Sequence, residues 1–203
     1  VIGMFFFGWA VLCEKFAVGN VCYALIGAAI PLMISGGFHV DGYMDTMDAF
    51  HSYQSREKKL EILKDSHIGA FAAIMLALYY MIDIAAISEI HTQKAVSAVA
   101  AVFFLARCFS GIAVMTLQPA KKEGLLYTFA SSAQKVRVKA ALYFQAALCV
   151  AIMLLVSGWY GAAAIGAALL SFFYFKKKSY KELGGITGDT AGFFVTVCEA
   201  AAA

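Results

Sequence analysis

The sequence predicts an all-α, polytopic integral membrane helix bundle of about six to seven transmembrane helices with one cytoplasmic amphipathic segment. Three observations lead there. The chain is 62% hydrophobic and only 14% charged, with a mean hydropathy of +0.77. Soluble domains run roughly 45–50% apolar and about 25% charged, and a larger soluble core would still need a polar shell. Such a chain must meet lipid. Apolar runs approaching the roughly 20 residues a spanning helix needs recur along the whole sequence. Basic residues, finally, fall in every second connection between those runs.

Taken in order, the apolar runs cover residues 1–12, 21–35, 68–88, 95–117, 140–156 and 159–175, and a last one begins at 191. The first is short, as a clipped helix would be. Pro31 and Pro119 are the two prolines, so the helices are largely uninterrupted, and no strand alternation competes with them. Gly161, Ala164, Gly166 and Ala168 suit close helix packing in lipid. No internal repeat is present, which predicts one transmembrane catalytic domain over residues 1–203. The chain starts at Val1 and ends at Ala203 inside apolar runs, without an initiator Met; both ends are expected to be truncated. Cys13, Cys22, Cys108, Cys149 and Cys198 share no short spacing and read as small hydrophobes, not as a metal finger.

The connection after the second run holds Arg56, Lys58, Lys59 and Lys64, and the one after the third only Lys94. After the fourth come Lys121, Lys122, Lys135, Arg137 and Lys139. The fifth has no basic residue, and Lys176, Lys177, Lys178 and Lys181 follow the sixth. Basic loops stay in the cytoplasm. Residues 36–67, 118–139 and 176–190 are therefore expected at the cytoplasmic face of the inner membrane. No basic–aromatic interleaving accompanies the net charge of +3, which excludes nucleic acid as a partner; the partner that composition demands is the lipid bilayer.

Chemistry concentrates in residues 36–69. Asp41, Asp45 and Asp48 stand at i, i+4 and i+7, a spacing that puts three carboxylates on one helical face. Like charges so placed repel, and a divalent cation is the usual offset. Hard oxygen ligands suit Mg²⁺ or Mn²⁺, and Mg²⁺ is typically held by one or two carboxylates plus substrate phosphates, so the substrate is expected to carry phosphate. Gly36, Gly37 and Gly42 allow backbone or ligand to approach closely. His39 and His67 flank the cluster as donors to phosphate or as a base. Leu60 and Leu63 make residues 56–65 amphipathic, with the charges toward water. Asp65 either completes the metal set or N-caps the next helix.

Gly184, Gly185, Gly188, Thr187 and Thr190 surround Asp189 in a glycine-rich turn ahead of a helix, where N–H groups can cradle phosphate. Asp189 joins the metal set from there or caps the helix. Arg107 lies inside the fourth run, where an arginine is costly and is a functional candidate by default; it pairs with a phosphate or with an acid of the site. Asp83 and Glu89 lie toward the opposite face and read as structural.

The blocks GGFHVDGYMDTMDAF, REKKLEILKDSHIGAF and GGITGDTAG resemble the signatures of the cobalamin synthase family, the adenosylcobinamide-GDP ribazoletransferases. Their order and spacing match too, with Arg107 in a middle helix and KEGL (Lys122 to Leu125) between. The chain departs at Ala49, usually Gly in the family, and at His67, commonly Arg; the family's last block usually carries an acid near the position of Glu199. The resemblance implies that α-ribazole, or its 5′-phosphate, attacks the phosphorus attached to cobinamide. GMP leaves, and adenosylcobalamin or its 5′-phosphate forms at a Mg²⁺-binding site. It leaves the general base open among His39, Asp48 and Asp65. A homo-oligomer, or association with other late corrinoid enzymes, is compatible with the sequence and not specified by it. Other membrane transferases that grip a diphosphate show DGxxAR or DDxxD, which this chain lacks. A transporter would place its polar residues at the midplane, where only Arg107 is deep.

Overall fold

The computed structural model describes residues 1–121 and 135–203. Among them nine helices form and no strand: α1 (Ile2–Lys15), α2 (Asn20–Ser35), α3 (Phe38–His51), α4 (Arg56–Ile62), α5 (Ala70–Ser88), α6 (Gln93–Thr116), α7 (Lys135–Ser157), α8 (Trp159–Leu183) and α9 (Gly188–Ala201). Every apolar run becomes a helix. Three spans are long and apolar enough to cross a membrane singly, namely Ala70–Ser88, Gln93–Thr116 and Val136–Ser157; α2 and α3 reach that length and hydropathy only as a pair, bent by 96°. The six to seven expected helices are thus present, but three or four meet that requirement. At 14 residues each, α1 and α9 rise only about 21 Å, against a hydrocarbon core of about 30 Å. Large side chains such as Met81, Leu155, Leu170 and Phe173 point outward, as lipid-facing positions must.

The last helix is the centre of the bundle. Residues 190–196 of α9 are all buried, and Phe193 and Phe194 are fully enclosed among Tyr43, Leu105 and Phe175. A helix apolar on all sides belongs in such a place. Ala164 and Ala168 are buried as expected, and a Cβ on Gly161 would meet Met153 O; Gly166 faces open space and takes no part in close packing.

Gly36 and Gly37 have φ of +64° and +82°, in the left-handed region that glycine enters without penalty. These two residues turn the chain from α2 into α3, which lies across the end of the bundle. The segment expected as an acidic connection is therefore a packed helix. Other connections meet it there. Lys59 pairs with Glu182 at 2.5 Å, Lys121 Nζ donates to Leu60 O at 2.8 Å, and Ile186 bridges to the loop around Pro119, accepting from Ala120 N and donating to Gln118 O. The aspartate end of α3, α4, and residues 118–121 and 176–190 gather at one end, as the alternating charges require, while Phe38 and His39 at the start of α3 lie deeper, beside Phe103 and Arg107. The KEGL stretch lies outside the described residues.

The amphipathic helix α4 is shorter than expected. Leu63 is buried and Leu60 packs beside it, but Lys59, expected in water, is 7% exposed. Glu182 makes that burial tolerable, and the Lys59 hydrogen bond holds the Glu182 carboxyl below the usual glutamate range.

Candidate active site

The acidic face of α3 is completed by another helix. Gly42 is buried where α9 crosses, and a Cβ there would stand 2.8 Å from Asp189 O and 3.0 Å from its Cα. Only glycine lets the two helices approach so closely. The crossing sets Asp189 beside Asp41 and Asp45, so that Asp45, half-buried, bears the charges of Asp41, Asp189 and Asp48 together. Lys121 bears on Asp189 in turn. Residues about 150 positions apart thus share one end of the bundle.

The glycine turn does less for a ligand than its composition suggests. Gly185 is buried, and a Cβ on it would meet Gln118 O at 2.6 Å and Ala120 N at 2.7 Å; it seats one loop on another. Ile186 N donates to Gln118 O. Thr187 and Thr190 close a capping box, each hydroxyl accepting from the other's N–H, at 3.2 and 2.8 Å. The cap of α9 is therefore Thr187. Asp189, in the first turn, is released from capping; its Oδ2 accepts a long bond from the Thr187 hydroxyl at 3.4 Å, and its carboxylate also bonds its own backbone N–H. Gly188 is the exposed member of the turn.

Asp48 is engaged differently from its neighbours. Gly69 N donates to its Oδ2 at 2.7 Å and Ala72 N to its Oδ1 at 2.8 Å. Asp65, expected either in the metal set or as the cap of this helix, is exposed and turns back on its own segment. It accepts from His67 N at 3.1 Å and from His67 Nδ1 at 2.6 Å. Those bonds hold the Asp65 carboxyl below its usual range and raise the His67 imidazole.

His39 and Arg107 form a second group. Two residues along a helix is a rotation of about 200°, so His39 faces away from Asp41, toward Arg107. Arg107 Nη1 donates to Glu199 Oε1 and to Phe103 O, both at 2.5 Å. Its partner is thus an acid of α9, not one of the α3 aspartates. His39 Nδ1 and Arg107 Nη2 are buried and have no partner among the described residues. Asp83 is buried inside the bundle.

Several site neighbours escape sequence reasoning. Lys121 counts in the sequence only as a topological charge. Glu199 is marked in the sequence by the family's acid near that position, but its pairing with Arg107 is not. The cap at Asp48 leaves one trace, a Gly at the start of α5 with no capping side chain of its own.

These features define a helical integral membrane protein with a carboxylate-lined face at one end. The chain belongs to the cobalamin-5-phosphate synthase family, which residues 1–203 match throughout. It is similar to the adenosylcobinamide-GDP ribazoletransferase of Lachnoclostridium phytofermentans, 41% identical over 199 residues, 98% of this chain and 76% of that one. Proteins of the same name from Clostridium botulinum and Escherichia coli K12 are each 29% identical, covering 98% and 87% of this chain and 79% and 71% of theirs. No solved structure matches the chain.

Asp41, Asp45 and Asp189 offer hard oxygen donors of the kind a divalent cation takes. Among the described residues no three such side chains converge as a finished cage. Mg²⁺ rarely uses one; it is held by one or two carboxylates, with waters and substrate phosphates completing its shell. The donor set fits that mode.

Proposed function

We propose that the chain is an adenosylcobinamide-GDP ribazoletransferase, joining α-ribazole, or its 5′-phosphate, to the phosphate carried by cobinamide and releasing GMP. The observation that carries this reading, together with the family, is the convergence of Asp189 on the Asp41–Asp45 face. A diphosphate with two organic arms needs contacts from more than one side, and α3 and α9 supply two.

In the transfer, a hydroxyl of the ribazole attacks the phosphorus attached to cobinamide. A new P–O bond forms, the diphosphate P–O bond to GMP breaks, and the hydroxyl proton passes to a base. A bound Mg²⁺ or Mn²⁺ supplies Lewis-acid polarisation of the diphosphate and offsets charge on the leaving GMP. Asp41, Asp45 and Asp189 would hold that cation. Lys121, beside Asp189, contributes positive charge at the same edge. Asp65 orients the exposed His67 ring through Nδ1, which gives the rim a candidate base, whereas His39 faces the other way. Activity is expected to vanish in excess EDTA and to return with added Mg²⁺ or Mn²⁺. Full turnover in EDTA would remove the metal from this scheme.

The acidic face belongs, in this proposal, to the cytoplasmic side of the inner membrane. The support is the gathering of basic connections at the same end. Single cysteines introduced at Tyr53 and Lys181 are expected to react with an impermeant maleimide only in inside-out vesicles. Labelling of both in intact spheroplasts would invert the topology.

A further inference from the structure

Asp48 shares the register of Asp41 and Asp45, and register alone makes it a third ligand. Its bonds set it apart. Each of its oxygens accepts one backbone N–H, Oδ2 from Gly69 just ahead of α5 and Oδ1 from Ala72 in its first turn. Gly69, the residue before that helix, offers no side chain to cap it. A Cβ on Gly69 would stand 2.5 Å from both Asp48 oxygens, closer than a side chain can approach, so the carboxylate is seated in the space that glycine leaves. An anion at a helix N-terminus also meets the positive end of the helix dipole. Asp41 and Asp45 accept no hydrogen bond among the described residues.

We infer that Asp48 is a positioning residue and not a ligand: from α3 it caps α5, and so fixes the face that presents Asp41 and Asp45 against the first turn of the next span. Asp41, Asp45 and Asp189 then remain as the carboxylates open to cation and diphosphate. The same fastening anchors the Asp65–His67 turn, which ends two residues before Gly69. The inference rests on the reading of the acidic face as the diphosphate site, and its test separates the two.

The chain in lipid nanodiscs is titrated with Mn²⁺ alone, read by electron paramagnetic resonance, and melted without metal. Asp48→Asn is expected to keep Mn²⁺ affinity within about threefold, while Asp45→Asn loses at least about tenfold. Asp48→Asn should lower the melting temperature by about 2–4 °C, and Asp45→Asn should not lower it. Gly69→Ala should destabilise the unaltered protein but add nothing to Asp48→Ala, a coupling that a metal ligand would not produce. Well below the melting temperature, Asp48→Asn should lower kcat about tenfold or more with half-saturating Mg²⁺ unchanged, which a purely structural role would not do. If Asp48→Asn loses Mn²⁺ as Asp45→Asn does at an unchanged melting temperature, Asp48 is a ligand and the inference falls. Equal destabilisation by Gly69→Ala with and without Asp48 would also overturn it. Should the unaltered protein bind no Mn²⁺, the reading of the acidic face fails by itself, and the melting cycle still decides the cap.

Discussion

Asparagine in place of Asp45, or of Asp189, is expected to reduce GMP release by about 10²–10³-fold, the usual cost of removing one preorganised electrostatic group from a reacting centre. The helices should stay assembled. Asp45 is half-buried among the charges of Asp41, Asp189 and Asp48, so loss of one charge relieves repulsion in the metal-free protein. Nothing in the packing depends on either carboxylate: Asp45 accepts no hydrogen bond among the described residues, and α9 is capped by Thr187 with Thr190. Turnover is measured beside a melting curve for each variant. An Asp189→Asn enzyme of normal turnover would return Asp189 to a bystander in the first turn of α9. A collapse of both melting temperature and turnover would make these aspartates structural.

Arg107→Leu is expected to have the largest effect on stability, about 3–5 kcal/mol, because it strands the Glu199 carboxylate in the interior. Glu199 is 7% exposed and Arg107 is its ion-pair partner. The double variant Arg107→Leu with Glu199→Leu should regain most of the loss, since an apolar pair of similar volume needs no desolvation. Melting of the three variants in one detergent is the measurement, and a double variant no better than Arg107→Leu would contradict the pairing. Its activity then separates two roles. A stable double variant that still releases GMP confines Arg107 to tying α6 to α9. A stable but inactive one places the unpartnered Nη2 nitrogen in contact with substrate.

The helices were legible because lipid imposes a simple rule, long apolar runs between polar connections, and the basic loops showed which connections meet. The limit of that rule is apparent at α3. Its composition is polar enough to look like a loop, yet Tyr43, Thr46, Met47 and Phe50 are buried because α5 and α9 pack against it, Tyr43 between Tyr79 and Phe193. The register of Asp41, Asp45 and Asp48 announced a polyanionic face correctly, but register reports which way a side chain points, not what bonds it. The difference between Asp48 and Asp45 arises from α5, 21 residues further on. Of the two approaches the glycines allow, backbone or ligand, the fold uses the first. Gly36 and Gly37 turn the chain, and Gly42 and Gly185 admit a neighbouring backbone, so glycines that looked reserved for a ligand mostly serve the protein's own approach. Arg107 and Glu199 are 92 residues apart, a pairing no local pattern encodes.

The transfer reaction itself is open to one direct measurement. Purified chain in nanodiscs is incubated with adenosylcobinamide-GDP, α-ribazole and Mg²⁺, and GMP and corrinoid products are quantified together by chromatography and mass spectrometry. GMP and adenosylcobalamin are expected to appear one for one, with neither formed when α-ribazole is left out. Release of GMP without α-ribazole, leaving a cobinamide phosphate, would show a hydrolase, and no release with both substrates present would show that the carboxylate face does not perform this transfer.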